Sequence, residues 1–414
     1  MYAPKLRFKK FNEEWKKNTL FYMLDNEMIT EHIDGNHGEL YPKSEEFVDI
    51  GVPYISANSL LNGNVDYSKV KFLTLERAKQ FKKGVCKPDD LLFAHNATVG
   101  PVAIIDEKYP LSIISTTLTL YRINQELLNN IFIKVYMESS AFIKQYSSVM
   151  KQSTRNQVPI TMQRNFYFPI IDLEEQNKIA SFFKLIDKKI QLQQEKINLL
   201  KEQKKGYMQK IFSQELRFKY EKGVSYQEWE ERYLKELSDV RDGTHDSPKY
   251  CPTGYPLITS KNLNSNGTLN SKDLSYISQD DYEKINKRSL VEDNDILFGM
   301  IGTIGNAVKV SNPNFAIKNV ALIKDTTEKF NEFLIHFLTS FHIEKQFKLL
   351  LTGGTQKFIG LNDIRNLNVL VPCQDEQKKI AQFLSAIDKK IALNMEKLNR
   401  IIQQKQAFMQ QMFI

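Results

Sequence analysis

Two short polar motifs stand at matching places in the chain, Asp34-Gly-Asn36-His37 and Asp242-Gly-Thr244-His245. Asp-Gly favours a tight turn, and a following amide or hydroxyl with a histidine offers hydrogen-bond donors to a groove or a phosphate. Turn architecture alone accounts for the pair equally well. A metal-dependent nuclease would need more acidic residues converging there, and the neighbouring sequence does not offer them. A second matched pair is Thr98-Val-Gly and Gly302-Thr303-Ile-Gly, whose backbone amides suit phosphate, with a structural hairpin as the alternative. A third pair precedes two long helical segments: Gln152, Arg155 and Asn156 in MKQSTRNQ, and Gln356 and Lys357 in TGGTQKFIG. These side chains are donors that fit base edges or phosphates. Ser56 and Asn58 in SAN, with Lys261 and Asn262 in TSKN, form a weaker set of the same kind.

Other chemistries find little support. TGGTQK at Thr352 lacks the Lys-Ser/Thr pair of a phosphate-binding loop. NPNF at Asn312 departs from the NPP[YF] loop that holds a flipped base in amino-methyltransferases, and a turn before a strand explains it. The six histidines show no HExxH or other metal spacing. Cys86, Cys251 and Cys373 lie far apart without CxxC spacing and read as reduced, structural thiols. The sequence thus nominates no catalytic residue and no metal ligand.

The elements that must carry these loops are duplicated. IDKKI occurs at Ile186–Ile190 and again at Ile387–Ile391, 201 residues later, and the segments from Glu174 and Asp375 match at about half their positions without a gap. LRFK at Leu6 returns at Leu216, each time followed by an EW pair (Glu14-Trp15, Glu228-Trp229). VPYISANSL parallels YPLITSKNL, and DLLFAHNATVG parallels DILFGMIGTIG. The chain of 414 residues is a tandem duplication in the order head, long segment, head, long segment. Trp15 and Trp229, at matching positions, read as core anchors.

The long segments are helical by period. Ile186, Ile190, Ile197 and Leu200 in the first, and Ile387, Ile391, Leu398 and Ile401 in the second, fall at spacings that make one apolar stripe, and neither segment contains proline. Such a stripe needs a partner helix. At ~1.5 Å per residue, each helix of roughly 38 residues is about 57 Å long. Polar residues interrupt both stripes at the same steps, Gln193 and Asn394, then Lys204 and Lys405. In an antiparallel pair with matched ends, Gln193 faces Asn394 and can set the register; alternatively both lean into solvent. The heads, in contrast, carry β-branched runs such as VAII, SIISTTLTLYRI, DILFGM and VALIK between turn residues, with one helical stretch each, near Leu127–Met150 and Glu328–Leu351. Each head is an α/β (α+β) unit.

Charge bears on the partner. Glu175 to Phe212 holds nine lysines against four acids, and Asp375 to Ile414 seven basic residues against four; together these account for the whole net charge of +8. The heads are therefore neutral overall, and any affinity of theirs for a polyanion must come from localised contacts. Two similar heads on paired helices suit two separated points of one target, and DNA half-sites on one face recur every ~34–36 Å. No apolar run approaches the ~18–20 residues that span a bilayer, and the charged start is unlike a secretory signal; the reading is a cytosolic protein without a membrane partner.

The repeated LRF…EW lead-in, the DILF…GTIG core and the EQxKIAxF…IDKKI helices together resemble the specificity (S) subunit of type I restriction-modification systems, over essentially the whole chain. The resemblance implies two target recognition domains, each reading one half of a bipartite asymmetric DNA site, and an antiparallel coiled coil with internal pseudo-two-fold symmetry that sets the gap. It implies two methyltransferase subunits docked on this framework and restriction (nuclease-translocase) subunits joining for cleavage. S-adenosylmethionine, ATP and Mg then belong to the partners, and this chain is non-catalytic and binds no cofactor. The expected boundaries are residues 1–173 and 214–373 for the heads, and 174–213 and 374–414 for the helices. The rival from another class is a coiled-coil scaffold whose duplicated heads bind protein or another ligand.

Overall fold

The computed structural model describes residues 4–151, 156–220, 223–326, 329–351 and 358–413. The chain divides into two compact units, Met1–Gln194 with Glu396–Ile414, and Glu195–Met395. Each unit thus holds one head and one half of each long helix.

In the first unit a four-stranded antiparallel sheet runs in the order Val102–Ile104, Leu91–Ala94, Leu118–Ile123, Ile29–Asp34. Leu91–Ala94 is buried along its whole length, which explains why it reads as a continuous apolar run. Its alternate side chains serve different layers. Leu91 and Phe93 join a core with the helices Asn130–Met137 and Ser140–Lys151 and the start of the first long helix. Leu92 and Ala94 point the other way, into a core shared with a second, five-stranded sheet that includes Val52–Ile55 and Ser112–Ile114.

The second unit repeats this plan. Val240–Asp242, Val320–Ile323, Ile296–Gly299 and Ala307–Lys309 form the antiparallel sheet, and Tyr255–Ile258 pairs in parallel with Ala316–Ile317 in the other. The expected single helical stretch of each head is two helices, the second unit's being Asn331–Phe337 and Phe341–Leu350. Extended backbone at Ser340 breaks the run and lets both pieces turn apolar faces to one core.

The long helices span Leu173–Phe212 and Gln374–Met412. In the first unit the beginning of the former packs on the end of the latter. Phe182 meets Phe408 edge-on at 5.2 Å, and Ile179 and Phe183 share a core with Met409, Met412 and Phe413. In the second unit the ends exchange roles, with Tyr207 against Phe383 at 5.0 Å and Ile211 and Phe212 beside Ile380 and Leu384. The pairing is antiparallel in each. Of the stripe residues, Ile197, Leu200, Ile391 and Ile401 are buried, and Ile186, Ile190, Ile387 and Leu398 are half-buried.

The lysines that interrupt the stripe explain the repeated IDKKI. Lys204 Nζ lies 2.7 Å from both carboxylate oxygens of Asp388, and Lys405 Nζ lies 2.8 Å from Asp187 and 3.1 Å from Glu138. Each motif therefore supplies two stripe isoleucines, one aspartate for the facing helix, and two lysines left in solvent. Burial disfavours the Lys405 ammonium, but Glu138 and Asp187 outweigh it and raise its pKa. Gln193 and Asn394 are both buried, which removes the solvent-facing alternative for them.

The repeated LRF…EW lead-in has an equally specific role. Glu175, buried in the first turn of one long helix, accepts from Arg7 Nε and Nη2 at 2.7 Å each and from Trp15 Nε1 at 3.3 Å. Glu376 does the same in the other, with Arg217 Nη2 at 2.7 Å and Trp229 Nε1 at 2.9 Å. The helix N-terminus itself favours a carboxylate there. Both tryptophans sit in the core, as their repeated position predicts.

Candidate nucleic-acid interface

Three of the loop pairs nominated by sequence meet at one edge of each unit. In the second unit the junction is the segment 317–320. Thr244 N donates to Ile317 O at 3.1 Å, and Asn319 N returns a bond to Thr244 O at 3.2 Å. Ser260 Oγ donates to Asn319 O at 3.1 Å, and Thr303 Oγ1 donates to Ser260 O at 2.6 Å. In the first unit the corresponding segment is 114–117, where Thr117 Oγ1 accepts from Ala57 N at 3.0 Å and Thr117 O accepts from His95 N at 3.0 Å.

The glycine of each Asp-Gly motif does something other than turn the chain. Neither Gly35 nor Gly243 has positive φ; a Cβ there would lie 2.4 Å from Ile114 O or Ile317 O. Glycine is needed because the end of one strand lies directly against the backbone of another. That approach leaves Asp242 buried at the strand end while His245 and Asp246, a few residues on, are exposed.

Each aspartate accepts from one histidine and from one lysine or arginine. Asp242 accepts from Arg288 Nη2 through one oxygen and from His245 Nε2, at 2.8 Å, through the other. Asp34 accepts from Lys83 Nζ at 2.7 Å and from His37 Nε2 at 2.8 Å. Burial opposes the Asp34 charge, but these two bonds more than offset it and hold its pKa below the ordinary value. The guanidinium and imidazole on Asp242 are 69% and 61% exposed, so the aspartate orients them without covering them. Arg288 and Lys83 are missing from the sequence-based candidates. They lie 46 and 49 residues from their aspartates, and no local pattern joins them.

His245 is held at both nitrogens, with Nδ1 2.9 Å from Asn319 Oδ1. Two acceptors require two N–H groups, so the bonds to Asp242 and then Asn319 raise its pKa. The unfolded value is about 6.5. Stabilisation of the loop is thus complete below that pH and is lost as pH rises through the raised value. Amide exchange in residues 242–246, corrected for its intrinsic pH dependence, is expected to quicken as pH rises above about 6.5 in the native chain and to lose that step in His245→Gln. Equal protection across the range in the native chain would contradict the doubly bonded imidazolium.

Several nominated residues serve the fold. Asn36 is buried and donates to Lys83 O. Asn262, also buried, accepts from Thr259 N at 3.0 Å and caps its own short turn. Thr303 spends its hydroxyl on Ser260 O, and Thr244 Oγ1 accepts from Asp246 N at 3.1 Å. Ser56 is half-buried at the start of its short turn. The exposed members of these loops are His37, Asn58, Thr98 and Asn156 in the first unit, and His245 and Lys261 in the second. Asn156 Nδ2 donates to Ala97 O at 2.6 Å, which ties its loop to the Thr98 turn. Gln152, Arg155, Gln356 and Lys357 lie outside the described residues. Among the described residues no group of three or more His, Cys, Asp or Glu is placed to hold a metal ion, and no helix is long and apolar enough to cross a membrane.

A family model described as "Type I restriction modification DNA specificity domain" matches residues 29–202 and 226–403. The MjaVIII type I restriction enzyme specificity subunit of Methanocaldococcus jannaschii is 24% identical over 404 residues, covering 90% of this chain and 93% of that protein. The putative MjaX specificity subunit of the same organism is 24% identical over 379 residues, covering 87% and 86%. Among solved structures, the S subunit of a type I restriction-modification system from M. genitalium shares the fold with a TM-score of 0.58 at 14% identity, over 100% of this chain and 99% of that one. A chain from a structural study of type I system assembly and conformational transition gives 0.55 at 17% identity, over 95% and 96%.

Proposed function

Since the chain belongs to the family of type I restriction-modification DNA specificity domains, we propose that the three-loop edge of each unit reads one half of a bipartite, asymmetric site in double-stranded DNA. The observation that carries this reading is the convergence of three loops in each unit on exposed donors that differ between the units. One edge offers His37, Lys83, Asn58, Thr98 and Asn156; the other offers His245, Arg288 and Lys261. Two different donor sets on one fold fit two different half-sites. The chain is the non-catalytic recognition subunit. Methyl transfer, with S-adenosylmethionine, belongs to two methyltransferase subunits docked along the helices, and ATP- and Mg-dependent cleavage to restriction subunits, all in the cytoplasm. Leu185 and Leu192, exposed at seven-residue spacing on the first unit's part of the first long helix, supply an apolar face for such docking.

The test is to express the chain with its methyltransferase subunit in a host without such methylation and to map modified bases across the genome. Two short defined blocks separated by unspecified bases are expected. A continuous motif would contradict independent reading by two edges; a soluble complex that leaves no methylation would favour a scaffold whose heads bind protein. At residue level, Arg288 is oriented by Asp242 and is assigned to phosphate. Arg288→Ala should weaken binding about equally for all sequences and reduce the slope of log K against log salt by about one. Titrations at several salt concentrations check this, and a sequence-selective loss would instead make Arg288 a base reader.

A further inference from the structure

The two units build the same core position from opposite chemistries. In the first, Gln163 Oε1 accepts from the Tyr121 hydroxyl at 2.7 Å and from His32 Nε2 at 3.2 Å. Its Nε2 donates to Thr119 Oγ1 at 3.0 Å and to Val158 O at 3.1 Å. With its oxygen engaged by Gln163, the Thr119 hydroxyl donates onward to His95 Nδ1 at 2.8 Å. All five side chains are buried. Strand register and loop bonding give the second unit's equivalents. The Tyr121–His32 cross-strand pair corresponds to Ile323–Val240, and Thr119, opposite Asp34, to Ala321, opposite Asp242. His95, which receives Val158 N at 2.8 Å, corresponds to Met300, which receives Ile359 N at 3.0 Å. Gln163 ends its short helix where Ile364 stands in the other. Val240, Met300, Ala321, Ile323 and Ile364 all belong to one apolar core.

The fold therefore does not require polar groups here, because the same chain builds it without them. What the polar version adds is direction. Apolar contacts hold a position by volume, whereas the buried hydrogen bonds that run from Gln163 through Thr119 to His95 also fix orientation. This network ends on the first unit's reading edge. Gln163 holds Val158, Val158 holds His95, and the next residues form the turn of Thr98, where Ala97 N donates to Asn156 O at 3.1 Å. Burial lowers the pKa of both His32 and His95 to about 4, which keeps the rings neutral and the bond directions constant at neutral pH.

We propose that Gln163, Thr119 and His95 are positioning residues that set the geometry of the 95–98 turn and Asn156, and so determine which bases the first unit accepts. The second unit places its turn by packing instead. This rests on the reading that this edge meets DNA.

The experiment uses the full chain with its methyltransferase subunit and compares Thr119→Val, which keeps the shape but removes the hydroxyl, with Thr119→Ser, which keeps the hydroxyl. Thr119→Val should lose about tenfold discrimination at one or more positions of one half-site, the scale of a single base contact, with the other half-site unchanged. Thr119→Ser should retain the native motif although it leaves a methyl-sized void. A native half-site in Thr119→Val overturns the proposal, and so do equal changes in both variants, which would mark a merely structural role. If Thr119→Val does not fold, amide exchange in the native chain decides: Val158 should be better protected than Ile359, and the reverse order overturns the proposal. Absence of a bipartite motif in the native complex would instead refute the functional reading on which this stands.

Discussion

Glu376→Ala should lower the stability of the second unit by about 3 kcal/mol or more. Breaking a buried ion pair by removing one partner costs roughly 3–5 kcal/mol, because the remaining charge keeps its desolvation without compensation. Glu376 is fully buried and is the acceptor for both Arg217 and Trp229 Nε1. The Arg217 side chain is 21% exposed and can recover some hydration, which places the expectation at the lower end. Glu376→Gln, which keeps an acceptor oxygen, should lose clearly less. Urea unfolding checks both, with the midpoint falling at constant slope. Two variants of equal stability would show that the carboxylate charge contributes nothing beyond its shape. Glu175→Ala should act alike in the first unit, where Arg7 and Trp15 meet the same kind of carboxylate.

Exchange of the first head for that of another family member should replace one half of the recognised site and leave the other half intact. About three mismatched base pairs at ~1–3 kcal/mol each would reduce recognition of the original half-site by roughly 150-fold or more. The graft has to respect how the head is seated. Arg7 and Trp15 lock onto Glu175, Leu6 N donates to Gln411 O at 3.0 Å, and Lys16–Thr19 pairs with Tyr167–Ile170. An exchange limited to residues 20–166 keeps these contacts while replacing every candidate reading loop of that unit. Methylation mapping of the chimaera gives the result directly, and a change in both halves would contradict modular reading.

What the sequence determined by itself is whatever repeats or has a period. The tandem duplication, the apolar stripe from Ile186 to Leu200 and from Ile387 to Ile401, the strand runs such as VALIK, and the family likeness are all local patterns, and local patterns follow from backbone geometry. The loops that form the candidate edge were also legible, because they recur at matching positions. Which side chains within them face outward was decided only by tertiary structure. Asn36, Asn262 and Thr303 have suitable chemistry, but each is committed to a backbone group that folding brings alongside, Asn262 Nδ2 to Asn270 O at 3.3 Å. Lys83 and Arg288 stand beside the paired aspartates although nothing near them in the chain marks them. The aspartate of IDKKI acquires its meaning from a lysine 184 residues away in one case, and the buried polar cluster joins residues up to 131 apart. Such pairs are set by the directional demands of buried charges and donors, which depend on what the fold places opposite them, and a linear pattern records only what each residue is able to do.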